Sequence, residues 1–427
     1  MANRQVTLDV SDNIIAAAVM AQSFWSIKNL RLIEPHAAGD NTRVVVNPNA
    51  NYIPIDIGAH WFLMDSAVDV DSVDDLDTGA LAAGTDYYVY ACTDGTSLSF
   101  KISANATNPT GFDAAHSRKI GGFHTLCTAV NHGGAGHTLA HWVADHIMAV
   151  GESVVAVAPD GYIYRVIAIA GDFKTHAATE PNWAGIAVNA TIVDDQVTWK
   201  KEQHALEGFA AKDILPASVW CLKHRSRTLV NVGLYFNSGS QKWAYIYLQS
   251  GTGTGTTSVF GGTITDTRTW MDHVDDGNAV GMRFPRDGEF QSIAAGSNEE
   301  TNIVGSGDPG TTGGHLDTAG RRMVSNEGAE DCCGAMYQWL LDEAYIYSGT
   351  TGYWGNLPGA KGSGYTNFAA DPGAPEMDNA DVGSDTKLSA GGAWDYAAIA
   401  GSRCRVAYFY RWYALTHVGA RFVSEPL

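Results

Sequence analysis

Residues 391–422 read GGAWDYAAIAGSRCRVAYFYRWYALTHVGARF. Aromatic and apolar residues crowd between Gly, Trp and Arg positions. Tyr396, Tyr408, Phe409, Tyr410 and Tyr413 lie within sequence reach of one another. No helical or strand period sorts them onto one face. Aromatics without a burying period are either irregular core or a display surface, and Tyr is the side chain that binding surfaces use most. The stretch therefore reads as a set of fixed anchors with display positions between them.

Working outward, the chain has 427 residues, 45% of them apolar, with 47 glycines and only 17% charged residues. That length suggests two to four domains, and the composition favours β-rich, loop-rich architecture. The net charge of −19 argues against nucleic acid and anionic membranes as partners. Cys92, Cys127, Cys221, Cys332, Cys333 and Cys404 form no C-x-x-C pair and match no zinc spacing. Buried thiols are expected. The first residues, MANRQVTLDVSDN, do not resemble a signal peptide, and no run of 18 apolar residues suggests a membrane span.

Residues 1–150 read as short strands with turns, among them Thr42 to Asn47 and Tyr87 to Ala91. Residues 69–77 are acid-rich but lack the Gly and Glu offsets of a calcium loop, so a solvated acidic loop is expected. His132, His137, His141 and His146 cluster in sequence, and a helix would place His137, His141 and Asp145 on one face. An ordinary, metal-free role is preferred, and no metal site is expected. Residues 151–212 read as a small β-module and connector. A hairpin turns at Pro159-Asp160-Gly161, and Trp183 and Trp199 form either a sugar platform or, preferably, a core. The Gly/Thr run at 251–257 lacks the Lys of a phosphate loop.

Residues 213–427 read as one domain. Gly281-Met282-Arg283-Phe284-Pro285-Arg286-Asp287-Gly288-Glu289-Phe290 has helix-start chemistry, followed by a Phe290, Ile293, Ala294 stripe. Asn326, Gly328, Asp331, Gly334 and Trp339 match a segment N-x-x-G-x-x-D-M-x-G-N-V-W-E-W. With Gly391-Gly392-Ala393-Trp394 and Gly419-Ala420-Arg421-Phe422, this region resembles the C-type lectin fold of the formylglycine-generating-enzyme type. More closely, it resembles the variable proteins of diversity-generating retroelements. The N-terminal half bears a diffuse likeness to phage tail proteins. The resemblance implies an α+β chain: N-terminal all-β tail-protein domains for attachment and trimerisation, then a C-type lectin domain with a variable region at 391–422.

The implied function is a phage tail-tip receptor-binding protein, a homotrimer in the virion. Its partners would be a host-surface protein or glycan, other tail proteins and its own copies, without a cofactor. Alternatives are a lectin-like tail protein with a fixed carbohydrate site, or an oxidase. The oxidases carry a cysteine pair shortly after G-G-x-W, whereas residues 395–402 contain no Cys here, so no enzymatic activity is expected.

In the retroelement proteins the varied positions are Asn codons mutated at adenine, which never yield Lys, Gln, Glu, Met or Trp. Residues 395–424 contain none of these except Trp412. The expected display face is Asp395, Tyr396, Ala398, Val406, Tyr408, Phe409, Tyr410, Tyr413, Leu415 and His417. The expected scaffold anchors, buried or paired, are Trp394, Arg403, Arg405, Arg411, Trp412 and Arg421, the arginines pairing with Asp331, Asp342, Glu343 or Glu289.

Overall fold

A computed structural model describes residues 4–5, 32–36, 40–48, 53–134, 139–171, 179–228, 233–345 and 385–427. Their secondary structure is mostly β, with two short α-helices, α1 (Trp270–Ala279) and α2 (Asp287–Ile293). The α+β expectation overstated the helix content.

Three antiparallel sheets come first in the chain. One has the order β1-β5-β4, from β1 (Arg4–Gln5), β4 (Ile53–Ile57) and β5 (His60–Met64). The second, β2-β3-β6, comprises β2 (Ile33–Pro35), β3 (Arg43–Val46) and β6 (Val68–Asp71). The acidic stretch expected as a loop therefore begins inside a strand, whose Asp71 is tied to Arg43 at 3.1 Å. The third joins β7 (Asp86–Thr93), β8 (Leu98–Ser103) and β9 (Ser117–His124) to the distant β14 (Trp220–Cys221), in the order β14-β9-β7-β8. In β4 the buried positions alternate, as a sheet with one solvent face requires. β7 loses that alternation because both its faces are covered. Tyr87, Val89 and Ala91 join the aliphatic core, while Tyr88, Tyr90 and Cys92 pack beneath Phe112 and Trp220.

The middle module is a four-stranded sheet of β10 (Ser153–Val154), β11 (Ile163–Ile169), β12 (Thr191–Asp194) and β13 (Val197–Glu202), in the order β10-β11-β13-β12. Trp183 and Trp199 are its core, with Tyr164 stacked on Trp183 at 3.9 Å. The indoles of Trp142 and Trp199 both donate to the Asp194 carboxylate, at 3.0 and 3.3 Å. Residues 139–148 form no helix, so His141 and Asp145 share no helical face; His137 lies outside the described residues. His132 is buried against His204 at 4.7 Å and faces the Arg322 carbonyl at 3.2 Å. Among the described residues no group of three or more His, Cys, Asp or Glu is placed to hold a metal ion.

The rest of the chain builds two sheets. One is β15-β16-β21, from β15 (Leu234–Asn237), β16 (Lys242–Tyr245) and β21 (Val423–Ser424). The other is β19-β18-β17-β20, from β17 (Tyr337–Tyr345), β18 (Asp385–Gly391), β19 (Gly401–Tyr410) and β20 (Val418–Gly419). α2 starts where the sequence placed a helix, because the Arg286 N–H donates to the Glu289 carboxylate at 2.8 Å, and it buries Phe290, Ile293 and Ala294. One hydrophobic cluster mixes Leu126, Cys127, Leu206 and Leu215 with Tyr235, Phe290, Leu340, Ala407 and Val423, so parts of the chain far apart in sequence share a core.

Candidate binding face

The face is built on a Gly-Gly turn. Gly391 and Gly392 both have left-handed backbones, with φ of 96° and 86°. A Cβ on Gly391 would lie 2.3 Å from the Cys332 carbonyl oxygen, so only glycine fits there. The Gly334 N–H donates to both glycine carbonyls at 3.1 Å, which ties the turn to the entry of β17. The Trp394 carbonyl accepts from the Asn302 amide.

Two of the four expected arginine anchors lie buried below this turn. Arg405 meets the Asp287 carboxylate at the start of α2, donates to the Ser402 and Cys404 carbonyls at 2.8 Å, and lies 5.2 Å from the centre of the Phe290 ring. Arg421 touches none of the expected carboxylates. It donates to the Gln338 side-chain oxygen at 3.0 Å and to the carbonyls of Tyr245, Ile246 and Glu330. The other partners of those carboxylates are Arg283 for Glu289 at 2.7 Å, Lys387 for Glu343 at 2.5 Å, and His315 for Asp331 at 3.0 Å; the Arg411 charge also helps Lys387 to lower the Glu343 pKa. Asp342 accepts from the Asp287 N–H at 2.7 Å.

The other expected anchors are not buried. Arg403 and Arg411 are exposed, Trp394 is half-buried, and Trp412 is 53% exposed. A register shift between Gly391 and Ala390 opposite Gly401 and Arg405 breaks the alternation of β19, so Arg403 turns outward while Arg405 turns inward. Arg411 and Trp412 occupy the turn that follows β19, which carries them into solvent.

The expected display residues also divide. Asp395 and Ala398 are exposed, while Tyr396, Tyr413, Leu415 and His417 are half-buried. Val406, Phe409 and Tyr410 are buried, contrary to expectation, and the side chain of Tyr408 lies outside the described ones. Val406 and Phe409 are buried because β19 is covered on both faces: Arg405 reaches toward α2, while Cys404, Val406 and Phe409 join a cluster with Trp339 and Tyr337. Tyr410 is covered by Trp412, whose ring lies parallel to it at 5.0 Å, with Tyr413 edge-on at 4.8 Å. A second aromatic group gathers Tyr396, Phe409 and His417 around Tyr337 at 5.5, 5.8 and 6.1 Å. Burial lowers the His417 pKa, with Asp395 opposing, so the ring favours its neutral form.

One contributor was missed from the sequence. The Thr267 N–H donates to the Leu415 carbonyl at 3.1 Å and the Trp270 N–H to the Arg411 carbonyl at 3.0 Å, so the start of α1 props the tip. The signal was there: Thr269 and Asp272 form a capping box.

Residues 37–148 match the family model described as the Mtd second domain. A tail fiber receptor-binding protein of Bordetella phage BPP-1 is 25% identical over 353 residues, 82% of this chain and 73% of that protein. The chain resembles the phage tropism determinants. Its fold follows that of the solved Major Tropism Determinant variants M1, U1 and P3c, each with a TM-score of 0.58 at 19% identity, covering 94% of this chain and 84% of theirs. The likeness thus takes in both the N-terminal sheets and the C-terminal face. All six cysteines are free and buried; burial raises the Cys332 and Cys333 thiol pKa values. No helix among the described residues is long and apolar enough to cross a membrane.

Proposed function

We propose that this tropism-determinant-like protein is the receptor-binding protein of a phage tail tip, which attaches the particle to its host through the face at residues 391–422. The observation that carries the reading is the exposed Trp412 ring stacked on Tyr410, with Tyr413 beside it, at the end of a strand whose buried Arg405 is bound to α2. Rigid aromatics on a fixed frame supply contact area at little entropic cost.

The finer reading keeps residues 213–427 as a C-type lectin domain of the formylglycine-generating-enzyme type, after an attachment domain at 1–150 and a module at 151–212. Its support is the placement of three motifs: at α2, at the entry of β17, and at the Gly-Gly turn. Retroelement variation would fall on Asp395, Tyr396, Ala398, Tyr413, Leu415 and His417, with Trp412 fixed by its codon. The chain would act as a homotrimer in the virion, where three weak contacts raise avidity. Catalysis plays no part in this reading, and the buried thiols of Cys333 and Cys404 suit packing rather than redox chemistry.

Purified chain added to host cells should block adsorption of particles that carry it. Adsorption that persists at saturating chain would overturn the proposal.

A further inference from the structure

A cleft with two unlike halves lies between the middle module and the later part of the chain. One half, of about 450 Å³, is walled mainly by apolar side chains, among them Trp142, Met148, Val150 and Val154. The other, of about 340 Å³, is polar and includes Arg165, Lys200, Glu202, Asn298 and Arg322. Gly151, Glu299, Glu300 and Arg321 line both, so the halves adjoin. Each volume falls within the range of about 300–1,000 Å³ usual for small-molecule sites.

The walls are held in place. The Trp142 indole N–H donates to the Asp194 carboxylate at 3.0 Å. The Glu299 carboxylate accepts from the Ser402 N–H at 3.0 Å and from its hydroxyl at 2.6 Å. A Cβ on Gly151 would lie 2.2 Å from a Glu300 carboxylate oxygen, so glycine there lets Glu300 reach across to the module. Two buried groups of the polar half are left over. Asn298 is 4% exposed, and its amide donates to the Thr301 carbonyl at 2.9 Å, but its Oδ1 accepts from nothing among the described residues. Arg322 is 3% exposed, and its Nε is likewise without an acceptor there. Buried polar groups are nearly always hydrogen-bonded. A spare acceptor and a spare donor on one cleft therefore point to a ligand that both donates and accepts.

Charge decides its class. Arg165 and Lys200 pair with Glu202 at 2.7 and 3.0 Å, Arg321 with Asp317 at 2.9 Å, and Arg322 with Glu330 at 2.7 Å. An anion thus finds no unpaired cation among these. Glu299 and Glu300 form no ion pair among the described residues, but the Arg165 charge acts on both and that of Arg321 on Glu299, which opposes a bound cation. Hydroxyl groups donate and accept without carrying charge, and a sugar ring adds an apolar face to them. We propose that the cleft binds a small neutral saccharide, its hydroxyls toward Asn298, Glu299 and Glu300 and its apolar face toward Trp142. The site is separate from the aromatic tip, and the inference does not depend on the attachment reading.

The test titrates the full chain calorimetrically with the methyl glycosides of glucose, galactose, mannose and N-acetylglucosamine, and with inorganic phosphate and ethylammonium as charged probes. At least one glycoside should bind saturably, and neither ion should compete with it. Glu300→Gln keeps the shape of the side chain but weakens the acceptor. It should melt like the original chain and bind that glycoside roughly tenfold more weakly, about the worth of one hydrogen bond to a charged group. Gln203→Ala, at an exposed position on the rim of the cleft, should also weaken binding, and it decides the matter if Glu300→Gln fails to fold. Trp412→Ala should bind the glycoside like the original chain. Absence of binding by all of the glycosides would overturn the inference, as would competition by either ion. So would glycoside binding that survives the folded cleft variant within about twofold, the ordinary effect of a surface change, or that is lost in Trp412→Ala.

Discussion

Arg421 shows how a residue can be an anchor without an ion pair. Its buried guanidinium gathers the carbonyls of Tyr245, Ile246 and Glu330 and the Gln338 amide, and so pins separate segments to the last strand. The sequence marked it by its place in Gly419-Ala420-Arg421-Phe422. It could not separate Arg405 from Arg403, because the register shift in β19 that sends them to opposite sides leaves no mark in composition or spacing. Burial leaves its own trace in the histidines. His204 and His273 are buried, which lowers their pKa values from 6.5 to about 4. Because the folded values lie below the unfolded one, the unfolded chain binds protons first. The stability from these neutral rings is present above pH 6.5 and lost as pH falls toward about 4. His315 works in the opposite sense: burial, the largest single influence, lowers its pKa, but the Asp331 and Glu330 carboxylates together raise it, so its stabilisation is lost as pH rises. Thermal melting at pH 7 and pH 5 should show a loss on the order of 2 kcal/mol at pH 5 for each of His204 and His273. His273→Gln should remove its share. A melting temperature unchanged between the two pH values would show that these rings are not held neutral.

Among the elements, α2 was legible and α1 was not, although both carry capping chemistry. α2 announces itself through Pro285, the first-turn acids Asp287 and Glu289, and an apolar stripe on one side. α1 lacks such a stripe: it buries His273, Asp276 and Gly277. Asp276 accepts from Gln249 at 2.8 Å and from the Gly253 N–H at 2.7 Å, so this helix is held by polar bonds that hydrophobic periodicity cannot reveal. The Gly-Gly turn before Trp394 was legible as a motif, and the structure supplies its cause. Gly391→Ala would put a Cβ against the Cys332 carbonyl in a left-handed backbone. The cost should be about 1–3 kcal/mol, read as a lower denaturation midpoint. A midpoint equal to that of the original chain would mean the turn can relax, and the frame would be softer than its geometry implies.

Across the whole molecule, the sequence conveyed strand-rich segments in order but not their interlocking. The proposed boundary at residue 213 cuts between elements that share one sheet, since β14 lies beyond it and pairs with β9. Buried polar links cross the same divide. His124 faces the Asp86 carboxylate at 2.8 Å and the Tyr247 hydroxyl at 3.1 Å, and the Arg322–Glu330 pair at 2.7 Å abuts Cys127. Such long-range pairings leave no local pattern to read. They predict that the part after residue 213 does not unfold independently of the first three sheets. Calorimetry should give one main transition for these regions; two well-separated transitions would show independent domains.

We propose that the last residues divide into a buried guanidinium frame and an exposed aromatic face. Trp412→Ala and Arg421→Ala, measured side by side for melting and for adsorption to host cells, test it most directly. Trp412→Ala should leave stability within about 0.5 kcal/mol and reduce adsorption. Arg421→Ala should destabilise strongly, because each buried acceptor it leaves unpaired costs about 1–3 kcal/mol. If Trp412→Ala unfolds the protein while Arg421→Ala melts like the original chain, frame and face have been assigned the wrong way round.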